Sequence, residues 1–291
     1  MPERYVFRPR DLLRDWLMES VCHLFDIHFP EAYLRKAVNL IKAGAFPIIV
    51  SNHQSHADVI VHALIAERII KETGGLLKGF RIPYAISVST GHQGKNINFL
   101  FRFLKDWFEE RGLLPFPVTR DKDKSEYGIT DLSRHSVPAL KNAGREGFGV
   151  SILPEGTVQA GRKDHYSIHG MRHGVEGGIE LAKQTGNVLF LPVSIHGTYN
   201  VFNPDRRLPS LNAAISTLVG LAGIHGRSLA SVTVGDPILR NSFPKDKGFS
   251  TTKFLMGRIA QQLPLIAQGV HVPTPEALMT AYKLAFVPPR C

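Results

Sequence analysis

The sequence predicts an α/β protein with a mixed, largely parallel central sheet flanked by helices, preceded by an N-terminal helical region. Four short apolar runs rich in strand-forming residues alternate with segments long enough to form helices. A cluster of polar residues follows each run. Because the carboxyl ends of parallel strands meet at one edge of a sheet, the pattern predicts one site assembled from distant parts of the chain.

The four runs justify this fold class in chain order. Each pairs a candidate strand with a polar cluster: 46–50 before Ser51 to Asp58, 113–118 before Thr119 and Arg120, 147–153 before Pro154 to Thr157, and 187–195 before His196 to Thr198. A further strand is predicted at 231–234, followed by a Gly-Asp-Pro turn.

The strands divide the chain into three regions. Residues 1–43 are interpreted as an N-terminal helical region that also offers a membrane contact, 44–240 as the catalytic core, and 241–291 as a helical tail. A chain of 291 residues with 43% hydrophobic residues has ample apolar material for one large domain or for a domain with an appendage.

The charge balance indicates an anionic partner. The chain has 35 Lys and Arg against 25 Asp and Glu, a net charge of +10. Acidic phospholipid headgroups, acyl carrier protein and nucleic acid all carry the complementary charge. Nucleic acid is not expected, because the sequence has no zinc-finger spacing, basic zipper or aromatic sheet signature. The two cysteines predict no disulfide framework and agree with a cytoplasmic location.

Two amphipathic segments suggest peripheral association with the inner face of a membrane. No run reaches 18 consecutive apolar residues, which argues against an ordinary spanning helix. Residues 12–25 carry an apolar stripe at helical spacing, and residues 99–108 are dense in aromatic and basic side chains. Packing of both stripes against the protein core is the alternative.

The most informative motif is His53-x4-Asp58, directly after the first run. Five steps along a regular helix turn about 500°, so the two side chains meet only if His53 lies in a loop and Asp58 in the first helical turn. The carboxylate then holds one imidazole nitrogen protonated and leaves the other as a general base. Alternatively, Asp58 is a helix cap and His53 an ordinary loop histidine. Other histidines near the motif loops match no familiar metal-site spacing, so no metal is predicted.

These clusters resemble the sequence blocks of the glycerolipid acyltransferase family, the lysophosphatidate and glycerol-3-phosphate acyltransferases. Asn52-His53-x4-Asp58 resembles the first block, which carries the general base and its orienting aspartate. Arg120 is similar to the arginine of the second block, Pro154 to Thr157 to the third, and Leu191-Pro192-Val193 to the fourth. The blocks keep the family's order over residues 46 to 196, about half the chain. Leu153 replaces the usual aromatic residue, and Arg162 stands later than the arginine that often follows the third block.

The resemblance implies transfer of a fatty acyl group from acyl-CoA or acyl carrier protein to a phosphorylated glycerol, with 1-acylglycerol-3-phosphate preferred and no cofactor. Arg120 would hold the phosphate, since guanidinium contacts phosphate at two points. Further acceptor contacts are expected from Glu155, Gly156, Thr157 and Arg162, although the Glu155-Gly156 segment is alternatively a structural turn.

Direct transfer is favoured, because Gly149-x-Ser151-x-Leu153 lacks the final glycine of a nucleophile elbow. Two alternatives stay open. One is acylation of glycerol-3-phosphate or another lipid-linked alcohol, and the other is a noncatalytic basic protein that binds lipid surfaces or nucleic acid.

Overall fold

The computed structural model describes residues 15–16, 18–19, 21–85, 104–119, 125, 142–154, 187–198, 230–243 and 251–263. Within them the chain forms eight strands and three α-helices that are labelled here. In chain order these are β1 (Phe25–His28), α1 (Glu31–Lys42), β2 (Phe46–Ser51), α2 (Asp58–Glu72), β3 (Gly79–Ala85), β4 (Leu113–Val118), β5 (Phe148–Ile152), β6 (Val188–His196), β7 (Ala230–Val234), β8 (Ile238–Leu239) and α3 (Thr251–Ala260). Residues 104–110 are also helical, and Arg240–Ser242 form a 3₁₀ turn.

The strands form one mixed sheet in the order β1-β7-β6-β2-β5-β3-β4, with β8 paired to β6. Strands β6, β2, β5, β3 and β4 all run parallel, whereas β7 is antiparallel to β6 and β1 is parallel to β7. The predicted fold class is confirmed. The four predicted runs are β2, β4, β5 and β6, and their carboxyl ends lie at one edge of the sheet.

Central position explains why β2 and β6 are almost entirely apolar. Every residue of β2 is buried, and in β6 only the terminal His196 is partly exposed. Their register pairs Phe46 with Val188 and Ser51 with Val193. A parallel strand covered on both faces has no solvent side, so its sequence reads as a continuous hydrophobic run.

Helices cover both faces of the sheet. The face with Ile49, Leu191 and Val193 packs with α1 and α2 in one apolar cluster. The opposite face, with Ile48 and Val50, packs with α3 in a second cluster. Side chains alternate between the two faces along a strand, so neighbouring residues of β2 belong to different cores.

The N-terminal region is not wholly helical. Residues 15–16, 18–19 and 21–22 and helix α1 are helical, but β1 lies between them and pairs with β7 in the main sheet. Two of the four β1 residues, Asp26 and His28, are exposed, so the strand does not stand out in the sequence as an apolar run. The division at residue 43 stays a prediction, although β1 ties this region to the sheet of the core.

The described parts of both amphipathic segments contribute mainly to the core. Met18 and Val21 of the first segment are buried, and so are Leu104, Trp107 and Phe108 of the second. Trp16 is the exception, with 50% of its surface exposed. Residues 99–103 lie outside the described part. Among the described helices, none combines the length and apolar character needed to cross a bilayer.

Candidate active site

His53 and Asp58 are in direct contact at the carboxyl edge of the sheet. His53 lies in the loop after β2, Asp58 is the first residue of α2, and His53 Nδ1 is 2.9 Å from Asp58 Oδ2. The structure confirms the arrangement that the sequence requires, with the histidine in a loop and the aspartate in the first helical turn. Asp58 is fully buried, whereas His53 keeps 8% of its surface exposed.

Four donors converge on the Asp58 carboxylate. Oδ2 accepts the backbone N–H groups of Gln54 at 2.6 Å and Ser55 at 3.0 Å in addition to His53 Nδ1–H. Oδ1 accepts the Thr198 hydroxyl, whose residue follows β6. Ser55 Oγ in turn donates to the Thr198 carbonyl at 3.1 Å. Four donors suit an ionised carboxylate, which only accepts hydrogen bonds, and they fix both of its oxygens.

Two amide side chains join the β2 loop to the end of β6. Asn52 Nδ2 donates to the Ile195 carbonyl at 2.7 Å, and Asn52 Oδ1 accepts the Ile195 N–H at 2.8 Å. Gln54 Oε1 accepts the N–H of Gly197 at 2.8 Å. Gly197 has a φ of +90°, a backbone conformation that favours glycine. These contacts continue the β2–β6 pairing beyond the strands and hold the loop that carries His53.

The Gln54 side chain also has a polar atom that no described residue satisfies. Its Nε2 is buried and has no hydrogen-bond partner in the described part of the chain. A buried donor of this kind requires an explanation, and a ligand oxygen or an ordered water would satisfy it.

His53 and Asp58 form a dyad with the geometry of a general base and its orienting acid. An aspartate that accepts from Nδ1–H selects the tautomer in which Nε2 carries the lone pair. The same carboxylate stabilises the imidazolium that forms when Nε2 takes a proton. His53 is buried, and the 8% of its surface that stays exposed is compatible with access by a reacting hydroxyl.

A second histidine lies beside the dyad. The ring centroids of His53 and His56 are 6.5 Å apart, with the rings edge to face. Burial, with a smaller contribution from His53, lowers the pKa of His56 to about 4, although Asp58 opposes the shift. His56 is therefore neutral at pH 7. Burial also lowers the pKa of His196 at the end of β6.

A third histidine bridges two strands beneath the dyad. His62 lies one turn after Asp58 on α2, with Nε2 2.6 Å from Ser51 Oγ of β2 and Nδ1 in contact with Ser151 Oγ of β5. All three side chains are fully buried. Desolvation lowers the pKa of His62 to about 4, with Asp58 opposing and His53 adding to the shift. A neutral imidazole has one donor and one acceptor nitrogen, which matches two hydroxyl partners.

The remaining predicted site residues lie outside the described residues. They are Arg120, Glu155, Gly156, Thr157 and Arg162. The described residues before them, Thr119 after β4 and Pro154 after β5, follow strands that end at the same edge as β2. β5 is adjacent to β2, whereas β4 is three strands away, about 14 Å at the usual strand spacing.

Several contributors were not predicted from sequence. His196 to Thr198 was expected as a polar strand end, but the specific bond from Thr198 to Asp58 was not. His62 falls within an apolar helical run, where it reads as part of the core. The available signal was its position four residues after Asp58, which places both side chains on one face of α2. In the portion of the chain that is described, no group of three or more His, Cys, Asp or Glu side chains could hold a metal ion.

Comparison with known proteins adds no assignment. No protein-family model matches the chain, and no curated protein matches it either. The case for function therefore depends on the residues and on their arrangement.

Proposed function

We propose that the protein is an O-acyltransferase that moves a fatty acyl group from an acyl thioester to a hydroxyl of a phosphorylated glycerol. The observation that carries the proposal is the His53–Asp58 contact, in which Asp58 is fully buried and receives four hydrogen bonds while the buried His53 keeps 8% of its surface exposed. A carboxylate held this firmly is suited to orient a base. The resemblance to the glycerolipid acyltransferase blocks, which has the same pair at its centre, supports the choice of reaction.

The chemistry begins with the acceptor hydroxyl, which is a poor nucleophile at pH 7. His53 Nε2 removes its proton as the oxygen attacks the thioester carbonyl carbon, and Asp58 stabilises the resulting imidazolium. The tetrahedral intermediate collapses with cleavage of the carbon–sulfur bond. The thiolate leaves and accepts the proton from His53, so the ester and the free thiol are the products.

Direct transfer fits the environment of Ser151, the serine of the elbow-like Gly149-x-Ser151-x-Leu153 segment. Ser151 lies within β5, is fully buried and contacts His62. A serine in this position cannot approach a thioester without disruption of the sheet, so it is a poor candidate for a covalent nucleophile. An acyl-enzyme intermediate is therefore not part of the proposed mechanism.

The acceptor is proposed to be 1-acylglycerol-3-phosphate, with glycerol-3-phosphate or another lipid-linked alcohol as the alternative. Arg120 would bind the phosphate, while Glu155, Gly156, Thr157 and Arg162 would contact the acceptor nearer to the hydroxyl. The donor would be acyl-CoA or acyl carrier protein, and the net charge of +10 suits both acidic donors and an anionic membrane surface. The proposed location is the cytoplasmic face of a membrane.

Product analysis by mass spectrometry tests the proposal. The purified protein is incubated with acyl-CoA or acyl carrier protein thioesters and with glycerol-3-phosphate, lysophosphatidate or unphosphorylated monoacylglycerol. The proposal expects acylated phosphoglycerol from the wild type, and His53→Ala should lower the rate by about 10²- to 10⁴-fold, the usual contribution of a general base. His28→Ala is a matched control, because His28 is exposed at the end of β1 on the opposite edge of the sheet. Equal turnover by both variants would remove His53 from the mechanism, and vesicle binding without any turnover would favour the noncatalytic alternative.

A further inference from the structure

A buried chain of hydrogen bonds connects β5 to the peptide that precedes His53. Its members are Ser151, His62, Ser51 and the carbonyl of Asn52. The three side chains are fully buried, and both serines face α2, as expected from the register that pairs Ile49 with Ser151.

The proton positions in this chain follow from the number of donors. Ser51 has a single hydroxyl proton, which it donates to the Asn52 carbonyl at 2.9 Å. Its oxygen therefore accepts from His62 Nε2–H, at 2.6 Å. The His62 Nδ1 atom is then unprotonated and accepts from the Ser151 hydroxyl. Each hydroxyl proton and each ring nitrogen has one assigned role, and the Ser51 oxygen also accepts, so the hydrogen bonds all run in one direction.

The two ends of this chain lie at functionally important points. The Asn52 carbonyl belongs to the peptide group that joins Asn52 to His53. The hydrogen bond from Ser51 to this carbonyl therefore restrains the orientation of that peptide plane, and with it the backbone of His53. At the other end, Ser151 is three residues before Pro154, after which the chain enters the Glu155-Gly156-Thr157 segment. The imidazole thus spans the carboxyl ends of β2 and β5.

We propose that His62 is a positioning residue, which holds the loop carrying His53 in a fixed relation to the end of β5. The Asp58 carboxylate restrains the His53 ring, and His62 restrains the backbone beneath it. Apolar residues would pack in the same space without any need for matched polar partners. A fully satisfied polar bridge specifies one arrangement of the two strand ends, which apolar contacts do not.

The first test reads the state of the His53 ring and does not depend on catalysis. In long-range ¹H–¹⁵N NMR spectra, wild-type His53 should show a single Nδ1–H tautomer. Ser51→Ala and His62→Gln remove links of the chain and should produce tautomer exchange or a second His53 conformer. The matched control is Thr73→Ala at the C-cap of the same helix, which deletes a part-buried hydrogen bond from Thr73 Oγ1 to the Ile70 carbonyl at 2.9 Å. It should leave the His53 signals unchanged.

The outcome that overturns the proposal is a His53 spectrum in folded Ser51→Ala and His62→Gln that is the same as in the wild type. A change of equal size in Thr73→Ala would overturn it as well, because the effect would then reflect general loosening of α2. If His62→Gln does not fold, Ser151→Ala removes a single hydroxyl from the other end and takes its place.

The second test is kinetic and depends on the proposed acyl transfer. Each break in the chain should lower kcat/KM on the order of 10- to 100-fold through misplacement of the base, with Thr73→Ala close to wild type. Ser51→Ala combined with Ser151→Ala should cost less than the product of the single effects, because either change alone already ends the bridge. Multiplicative effects would show two independent bonds and contradict the proposal. Absence of transfer by the wild type would refute the proposed function alone, and the NMR result would still decide the role of His62.

Discussion

Replacement of Asp58 by asparagine separates the charge of the carboxylate from its shape. Asparagine can present its carbonyl oxygen to His53 Nδ1–H and to the backbone N–H groups of Gln54 and Ser55, which all contact Oδ2 in the wild type. The new NH₂ group would face Thr198, whose hydroxyl can rotate to accept it. We therefore expect Asp58→Asn to fold with the loop largely in place.

The stability cost can be estimated from the number of donors. Hydrogen bonds to a charged acceptor stabilise by about 1.5–3 kcal/mol, against about 0.5–1.5 kcal/mol for neutral pairs. Three retained bonds thus weaken by roughly 1 kcal/mol each, and relief of the buried charge offsets part of the loss. We expect a decrease of about 1–3 kcal/mol in the free energy of unfolding. Asp58→Ala should lose more, because it leaves two backbone N–H groups without their acceptor.

The effect on catalysis should be larger and alike in both variants. Without the negative charge the imidazolium is not stabilised, and kcat for acyl transfer should fall by about 10²- to 10⁴-fold. Urea unfolding followed by circular dichroism and single-turnover acyl transfer measure the two quantities on the same samples. Wild-type turnover by Asp58→Asn would refute the orienting role of this carboxylate. Equal stability of the asparagine and alanine variants would refute the hydrogen-bond argument.

Three further predictions concern the surroundings of the dyad. Thr198→Val removes the donor to Asp58 Oδ1 but keeps the Oδ2 contacts. The free energy of unfolding should therefore decrease by about 1–3 kcal/mol, while the rate of acyl transfer falls less than tenfold. A loss of transfer rate much greater than tenfold in the folded variant would contradict this expectation. Folding depresses the pKa values of His56 and His62 from 6.5 to about 4, so the unfolded chain binds more protons between these values and stability is lost as pH falls through that window. The loss should be on the order of 3 kcal/mol for the fully buried His62 between pH 6.5 and 4 and smaller for His56, whose surface is partly exposed. Urea titration measures it, and His62→Gln should remove its share; an unchanged pH slope in that variant would contradict the assignment. Arg120→Ala should raise the KM of phosphorylated acceptors and leave that of the acyl thioester unchanged, and equal changes for both substrates would remove Arg120 from the phosphate site.

Two of the predicted strands stand out in the sequence because their surroundings are uniform. Strands β2 and β6 are buried on both faces, and their apolar runs report that directly. β3 was not predicted, because Arg81 and Pro83 interrupt its pattern although it lies between β5 and β4. Arg81 is tolerated since its guanidinium pairs with Glu146 and stacks 4.7 Å from the Phe148 ring centroid. Those partners come from a segment more than 60 residues away, which no local pattern can include.

The site shows the same division between local and distant constraints. The His53–Asp58 contact could be predicted because helix geometry within one short segment allows only one way for the two side chains to meet. The bond from Thr198 and the bond from Gly197 to Gln54 close loops of 140 and 143 residues. These bonds exist only because β6 lies beside β2. The alternation of strands and helices predicts one parallel sheet, but it does not predict the order of the strands in that sheet.

The strand order also determines how an acceptor can lie across the site. His53, the proposed base, follows β2, the segment that begins at Pro154 follows the adjacent β5, and Thr119 follows β4 at the far side of β3. A hydroxyl positioned at His53 is therefore about 5 Å from the β5 end and about 14 Å from the β4 end, measured along the sheet edge. In 1-acylglycerol-3-phosphate the free hydroxyl is on the carbon next to the phosphorylated carbon, so the phosphate stays close to a hydroxyl held at His53. If Arg120 binds this phosphate, the contact must therefore form towards the β2 and β5 ends of the sheet edge, and an acceptor that binds equally well without its phosphate would contradict this assignment.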